Sequence, residues 1–532
     1  MFKAGFRIVQ HPDWPTLGWL ACLERDNLEI EVHVGPGVEA TEAFIVEASW
    51  DGAYEAGDFD LTDIVAGTGL RLRDNRVHIV SSGSTVDRLA VWRGGDRIVV
   101  ANAVSAIFGF LGAIPVYRYR YYHRDLHSIK KGLTLYTQTI PSSLGPVELV
   151  YFNNLCWDGR ELTPLPKPFA DRSFPDFDSY YKFIDNCLGR VVRNARSPQR
   201  RRPWKLMTTI SSGYDSPAVA AMAVSHGCRD AITFVNSRGG EDDSGAAIGE
   251  LLGLRVAKFQ REDYLHDSTA ESLFIAAEGE GEDVALAGAA GMLDGTLLFT
   301  GHHAGRIWEK SKPNDSLTPD IVRRDVTGLS MTEYRLRAGF LHCPVPVWGA
   351  RNIDQIVRIS DSPELTAWDV RSDYSRPLCR RIIESAGVPR SAFAHSKMAT
   401  AHTFFEKIDF AADRTLDSYQ QWLAKRRSHW VKHGKLPPLK ELHVLLFRYY
   451  RCREQAVIWL MRALGRWPVA WRAQHIMTRL RGKVHRDACR PSLYQQTIFH
   501  WALENAARDF STQLKDPPSS AAVAPDSRTN AQ

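Results

Sequence analysis

The stretch from Lys205 to Val224 constrains the fold more than any other. An apolar run, Lys205-Leu206-Met207-Thr208-Thr209-Ile210, is followed by Ser211-Ser212-Gly213-Tyr214-Asp215-Ser216 and then by the Ala-rich segment Pro217 to Val224. The run reads as a buried strand and the Ala-rich segment as a helix, with Pro217 in the first turn, where a missing N–H costs least. Small side chains at a strand-to-helix junction let backbone N–H groups approach an anion. The helix N-terminus adds unpaired donors and the positive end of its dipole. Ser211 and Ser216 add hydroxyl donors. Asp215 repels phosphate directly and is expected to act through a bridging Mg²⁺. The hexapeptide alone also reads as an ordinary capped turn; its flanks favour the phosphate-binding turn.

The same β/α alternation continues downstream. Ala231–Val235, Leu254–Phe259 and Thr296–Thr300 read as strands, and Ser244–Leu252, stopped by Gly253, reads as a helix. This predicts a doubly wound parallel sheet with helices on both faces, whose ligands bind beyond the carboxyl ends of the strands. Upstream, residues 1–165 look β-rich, with period-two runs such as Leu28–Val34 and a hairpin signal at Gly94-Gly95-Asp96. The Pro-rich stretch Thr163–Pro168 predicts a boundary, followed by a helix over Phe177–Arg196 capped by Asp176 or Asp178. The expected units are 1–165, 175–405, a basic helical region 406–512, and a Pro/Ser/Ala-rich tail 513–532 read as disordered.

With 67 basic and 61 acidic residues the chain is mildly basic, which does not by itself imply nucleic acid. Its eight cysteines are scattered without CxxC or zinc spacing and read as reduced thiols. No signal-peptide h-region and no long apolar run is seen, so a cytoplasmic protein is expected. Beyond residue 410, Arg448, Arg451, Arg462 and Arg479 lie among Trp422, Trp430, Trp459 and Trp467. A helical layer with Trp inside and Arg outside is the preferred reading. Contact with RNA, a carrier or a membrane surface is the alternative.

The turn resembles the SGGxDS motif of the PP-loop ATP pyrophosphatase superfamily, and within it the synthetase domain of asparagine synthetases and β-lactam synthetases. Asp242-Asp243-Ser244, Leu251-Leu252-Gly253, Thr300-Gly301, Asp373–Arg381 and Lys397 extend the resemblance over roughly residues 175–405. It implies ATP with Mg²⁺ as cofactors. The phosphates would lie on Ser211, Ser212, Gly213, Tyr214 and Ser216, with a second pyrophosphate loop at Gly301. A carboxylate attacks the α-phosphate to give an acyl-adenylate and pyrophosphate, and an amine then displaces AMP. Lys397 would neutralise developing charge, so Lys397 and Asp215 are the expected catalytic residues.

This sequence departs from the pattern in three places. Ser212 stands where the family has its second Gly. The acidic stretch expected after the second loop is replaced by Gly301-His302-His303-Ala304-Gly305-Arg306, so His302 and Arg306 are expected to contact pyrophosphate as donors. An acidic segment, Glu278-Gly279-Glu280-Gly281-Glu282-Asp283, precedes an expected helix over Val284–Met292. Two uses of it stay open: favouring that helix N-terminus by ~0.3–1 kcal/mol, or supplying Mg²⁺ ligands, with Glu282 and Asp283 joining Asp215, or a seat for a cationic substrate. The N-terminal region resembles the family's Ntn-type glutaminase β-sandwich, through Thr85–Leu89, Val99–Asn102, Gly132, Val147, Tyr151 and Asn153. It carries Phe2 where glutamine-dependent relatives have a cysteine nucleophile, and Cys22 reads as core. The expected activity is an AMP-forming amide ligase without its own glutaminase. It would take a small-molecule or peptide carboxylate and an amine donor; a homodimer is compatible and nucleic acid is not expected. A non-catalytic ATP-binding relative and a nucleic-acid modifier of the same superfamily are the alternatives.

Overall fold

The structure is a computed structural model that describes residues 4–169, 172–266, 270–312, 317–372, 374–394, 398, 400–402, 411–426 and 493–511, with isolated positions between 445 and 460. Lys397, most of the basic region and the tail 513–532 lie outside the described residues.

The chain is mixed α/β. Its β-rich first part is two sheets packed face to face. Seven strands run in the order Gly5–Gln10, Glu29–Val34, Trp19–Glu24, Arg97–Ala101, Leu89–Gly94, Gly145–Val150, Thr139–Ser142. Six run Leu162–Leu165, Asn154–Trp157, Arg76–Val80, Val65–Arg73, Phe44–Trp50, Glu39–Ala40. Alternation puts Trp19, Ala21 and Leu23 between the sheets against Ile45, Leu70 and Val77, while Leu20 and Cys22 face a second core with the helix Val104–Leu111. The hairpin signal is realised, with Gly94 paired to Arg97. The Pro-rich stretch is not wholly a linker. Its first half is the edge strand Leu162–Leu165, where Pro164 is tolerated because an edge N–H need not pair.

The second part is a five-stranded, fully parallel sheet in the order Arg255–Phe259, Asp230–Phe234, Lys205–Thr209, Thr296–Thr300, Leu341–Pro344. The first strand in sequence is therefore central, and the strand order reverses beside it. One face is covered by the helices Phe177–Ala195, Asp215–Ser225 and Pro377–Ser385; the other by Ala270–Glu278 and, from the C-terminal part, Leu493–Ala507. Leu206 lies in the first core, while Met207, Ile232 and Leu298 lie in the second. Asp176 is the cap of the first helix, in a reciprocal capping box with Ser179. Val284–Met292 differs from expectation: it is a 3₁₀ segment, Val284–Ala289, followed by one α-turn, Ala290–Leu293. Gly288 and Gly291 interrupt the run, and Gly disfavours a continuous α-helix.

The two parts share a buried ionic contact. Arg335, in the helix Thr332–Ala338, is fully enclosed and donates to Glu47 of the six-stranded sheet and to Asp87, both at 2.8 Å. Among the described C-terminal residues, Trp422 and Trp501 are buried and Trp459 is exposed. Among the described residues no helix is long and apolar enough to cross a membrane.

Candidate functional site

A cavity of about 410 Å³ opens at the carboxyl ends of the central strands. Its floor is the segment after Thr209, and its neighbour is Thr300-Gly301 at the end of the adjacent strand. That is the crevice where strand order reverses and where open parallel sheets take ligands. Ser211, Gly213, Tyr214, Asp215, Ser216, Gly301, His302, Glu282 and Asp283 all line it.

Two glycines press the turn into shape. A Cβ on Gly301 would fall 2.6 Å from the carbonyl carbon of Asp215 and 2.8 Å from the Ser216 nitrogen. A Cβ on Gly245 would fall 2.6 Å from the Ser211 nitrogen. Gly213 differs, because its nearest neighbours would be Tyr374 Oη at 3.4 Å and Ser211 Oγ at 3.5 Å, an ordinary contact. Ser211 and Ser216 hydroxyls lie 2.9 Å apart, and the Gly213 N–H donates to Ser211 Oγ at 3.3 Å.

Two expected residues stand outside the cavity lining, and Asp215 has a partner there. Ser212 has no positive φ, so its Cβ is tolerated, but it is turned away from the cavity. Its N–H donates to the Asp243 carbonyl at 3.0 Å and its hydroxyl to Asp243 Oδ1 at 2.7 Å. Both donors are thus spent on the loop that precedes the helix Ala246–Leu251, and Ser212 holds the turn instead of a phosphate. Arg306 is buried and absent from the cavity lining. The cations that line it are Arg376, Arg324 and Lys312. Arg376 forms a direct ion pair with Asp215; Arg324 and Lys312 both engage Glu309. Asp215, expected as a metal ligand, therefore has a protein counterion. Lys397 is outside the described residues.

Opposite the turn stands an acidic wall. Asp283 Oδ2 accepts the Gly328 N–H at 2.8 Å and the Ser330 hydroxyl at 2.7 Å. Glu282 is half-buried, yet its Oε2 is enclosed and has no hydrogen-bond partner among the described residues. Burial, followed by the charges of Asp283, Glu278 and other carboxylates, pushes the Glu282 carboxyl up to about 9. Burial also raises Asp325, but Arg323 and the Thr327 hydroxyl more than offset it, so this carboxyl sits below its ordinary value. Glu282, Asp283 and Asp325 thus line one edge of the cavity as three carboxyl groups, one with an enclosed oxygen that has no donor among the described residues. His302 is held neutral by burial, as is the left-handed His303 (φ 72°), so His302 offers a hydrogen bond and not a charge.

The other half of the cavity is apolar, with Ile232, Phe234, Leu286, Leu298 and Met331. Sequence reasoning did not single out Arg324, Lys312, Asp325 or the role of Arg376. The Arg376–Asp215 pair spans 161 positions, and no local pattern marks it. In comparisons with known proteins, no family model matches the chain and no curated protein is found similar to it.

Proposed function

We propose that this chain is an ATP-dependent, AMP-forming amide ligase of the asparagine-synthetase-like class, without its own glutaminase. The observation that carries this reading is the Ser211–Ser216 turn at the end of the central parallel strand. It faces an apolar pocket on one side and an acidic wall on the other. In this reading the adenine lies against Ile232, Phe234 and Leu298, and the phosphates lie over Ser211, Gly213 and Ser216. Glu282, Asp283 and Asp215 would hold Mg²⁺, which would supply charge neutralisation at the phosphates. Arg376 exchanges part of its contact with Asp215 for a phosphate oxygen, a planar guanidinium being suited to that role. A substrate carboxylate oxygen bonds to the α-phosphorus as pyrophosphate leaves; an amine nitrogen then bonds to the acyl carbon as AMP leaves. Lys397 belongs to this proposal through the sequence resemblance.

Loss of glutamine hydrolysis is supported by the described cysteines of the β-rich part. Cys22 is buried and its thiol is pushed up to about 11 by burial; Cys156 is also raised by burial. A nucleophilic cysteine needs the opposite shift.

The test is calorimetry of ATP·Mg²⁺ with wild type and Asp215→Asn, together with pyrophosphate release from pooled carboxylates and amines. Asparagine is chosen because alanine would strip the buried Arg376 of its partner. Binding should weaken at least tenfold in the variant. Equal affinity in the two proteins defeats the reading. A second reading, binding without cleavage, is favoured by one observation: the turn's carboxylate is already paired with Arg376. It requires ATP binding with no AMP from any carboxylate and amine pool.

A further inference from the structure

A second cluster of chemistry-bearing side chains sits at the other end of the acidic segment, outside the cavity. The helix Tyr122–Leu126 runs directly into a 3₁₀ turn, His127–Lys131, so His123 and His127, four residues apart, share one face. Their ring centroids are 4.8 Å apart. Facing them, the helix Ala270–Glu278 ends in Gly279 (φ 101°) and Gly281 (φ 71°), conformations that L side chains resist. The chain there doubles back and returns two carboxylates to the imidazoles. His123 Nε2 lies 2.9 Å from Glu280 Oε1, and His127 Nε2 is in direct contact with Glu278 Oε2. A Cβ on Gly279 would fall 2.6 Å from the Cβ of His123, so only glycine allows this approach.

We infer that His123, His127, Glu278 and Glu280 form a divalent transition-metal site, matched best by Zn²⁺. Two imidazoles and two carboxylates are a ligand set of Zn²⁺, and two carboxylate charges balance it. Mg²⁺ and Ca²⁺ prefer all-oxygen shells of six or more. Potential ligand atoms of His123, His127 and Glu280 already lie within 4.8 Å of one another. Tetrahedral Zn²⁺ with bonds of about 2.1 Å needs roughly 3.4 Å between ligands, a contraction within reach of side-chain rotation. The carboxylate of Glu278 is pre-oriented: its Oε1 accepts the Glu280 N–H at 2.9 Å and the Gly281 N–H, leaving Oε2 toward His127. Glu278 forms a fully buried floor at 0% exposure, while His123 and Glu280, at 20% and 17%, leave an entry path. The ion ties the Tyr122–Lys131 segment to the turn whose far end carries Glu282 and Asp283. Its role is structural, and it stands apart from any nucleotide-bound Mg²⁺.

The test uses the full chain, stripped with chelator and desalted, without nucleotide. Zn²⁺ titration by calorimetry and native mass spectrometry should give one tightly held ion per chain, and Co²⁺ should give the visible absorption of a tetrahedral site. His123→Gln and Glu280→Gln, at the more exposed positions, should each weaken uptake at least tenfold with unchanged circular dichroism. Glu282→Gln should leave it intact. Zn²⁺ should raise the thermal midpoint of wild type and not of His123→Gln. The assignment is overturned if no stoichiometric uptake occurs, in which case the cluster is two His–Glu ion pairs. It is equally overturned if uptake follows Glu282→Gln and ignores His123→Gln.

Discussion

Two glycine-to-alanine substitutions, at Gly213 and Gly301, separate packing from ligand binding in the same turn. At Gly213 the φ is not positive and the added methyl meets only Tyr374 Oη at 3.4 Å and Ser211 Oγ at 3.5 Å. The folded chain accepts it, and the unfolded chain loses freedom, so Gly213→Ala should be neutral or stabilising by ~0.4–1 kcal/mol. Both neighbours line the cavity, however, so the methyl enters the space assigned to phosphate. Displacing one hydrogen bond to a charged oxygen costs ~1.5–3 kcal/mol, or roughly 10- to 100-fold in affinity. At Gly301 the methyl would meet Asp215 and Ser216 backbone at 2.6–2.8 Å. The start of the Asp215–Ser225 helix must move, at ~1–3 kcal/mol. Differential scanning calorimetry and ATP·Mg²⁺ titration on both variants give opposite patterns: Gly213→Ala keeps its midpoint and loses ATP, whereas Gly301→Ala loses several degrees. Wild-type ATP affinity in Gly213→Ala would refute the phosphate seat. A large loss of stability in Gly213→Ala would refute the packing argument.

Three further outcomes follow from particular contacts. The Glu282 carboxyl is raised from 4.5 to about 9, so the native state holds a proton that the unfolded chain has released; stability should fall as pH rises through that window, by at most about 1.4 kcal/mol per pH unit. Urea unfolding from pH 5.5 to 9 should show this slope, and Glu282→Gln should flatten it. Arg335→Leu leaves Glu47 and Asp87 buried without their cation and should cost about 3–5 kcal/mol, read as a lowered thermal midpoint. Ser212→Ala removes the hydroxyl bond to Asp243, so it should lower stability by about 1 kcal/mol. Calorimetry should show it weakening ATP·Mg²⁺ binding less than Ser216→Ala does, because Ser216 lines the cavity and Ser212 does not.

Four of the five parallel strands were legible because each is a short apolar run ended by Gly or a polar turn, with a helical pattern between. The fifth, Leu341–Pro344, was not: four residues that end in Pro344 are too short to show a period. The junction at Ser211–Ser216 was legible because phosphate turns are local, built from a few consecutive residues. What that junction touches was not. Asp215 meets Arg376, and Ser212 meets Asp243, across 161 and 31 positions. Those pairings are set by which loops the sheet order brings to one edge, and nothing in a local window records that order. Arg306 stands outside the cavity lining for the same reason. Counting cations near Gly301 identifies a charged residue but not the face of the short helix Ala304–Ile307 on which it stands.

The acidic segment shows how backbone conformation decides between uses that composition leaves open. Four carboxylates within six residues repel one another if they share a face. Left-handed glycines at 279 and 281 bend the segment, so that its first two carboxylates and its last two face different partners. Glu278 and Glu280 meet imidazoles, so their charge is compensated within the protein. Asp283 accepts from the Gly328 N–H and the Ser330 hydroxyl beside a neutral His302, Glu282 Oε2 meets no donor among the described residues, and the buried Arg323 acts on both through space. Across the cavity, Arg376, Arg324 and Lys312 are already engaged by Asp215 and Glu309. Glu282 keeps its proton near neutral pH and Arg323 offsets Asp325, so a divalent cation at this edge would have to displace the Glu282 proton, opposite a turn that carries hydrogen-bond donors. A bare anion would use the turn's donors and leave the carboxyl wall unoccupied. A cation alone would satisfy the wall and leave the turn's donors unused. A phosphate carrying a divalent cation satisfies both, which is why the proposed ligand is ATP·Mg²⁺ and not free ATP. Titration with ATP in the presence of excess chelator should accordingly lose most of the binding heat.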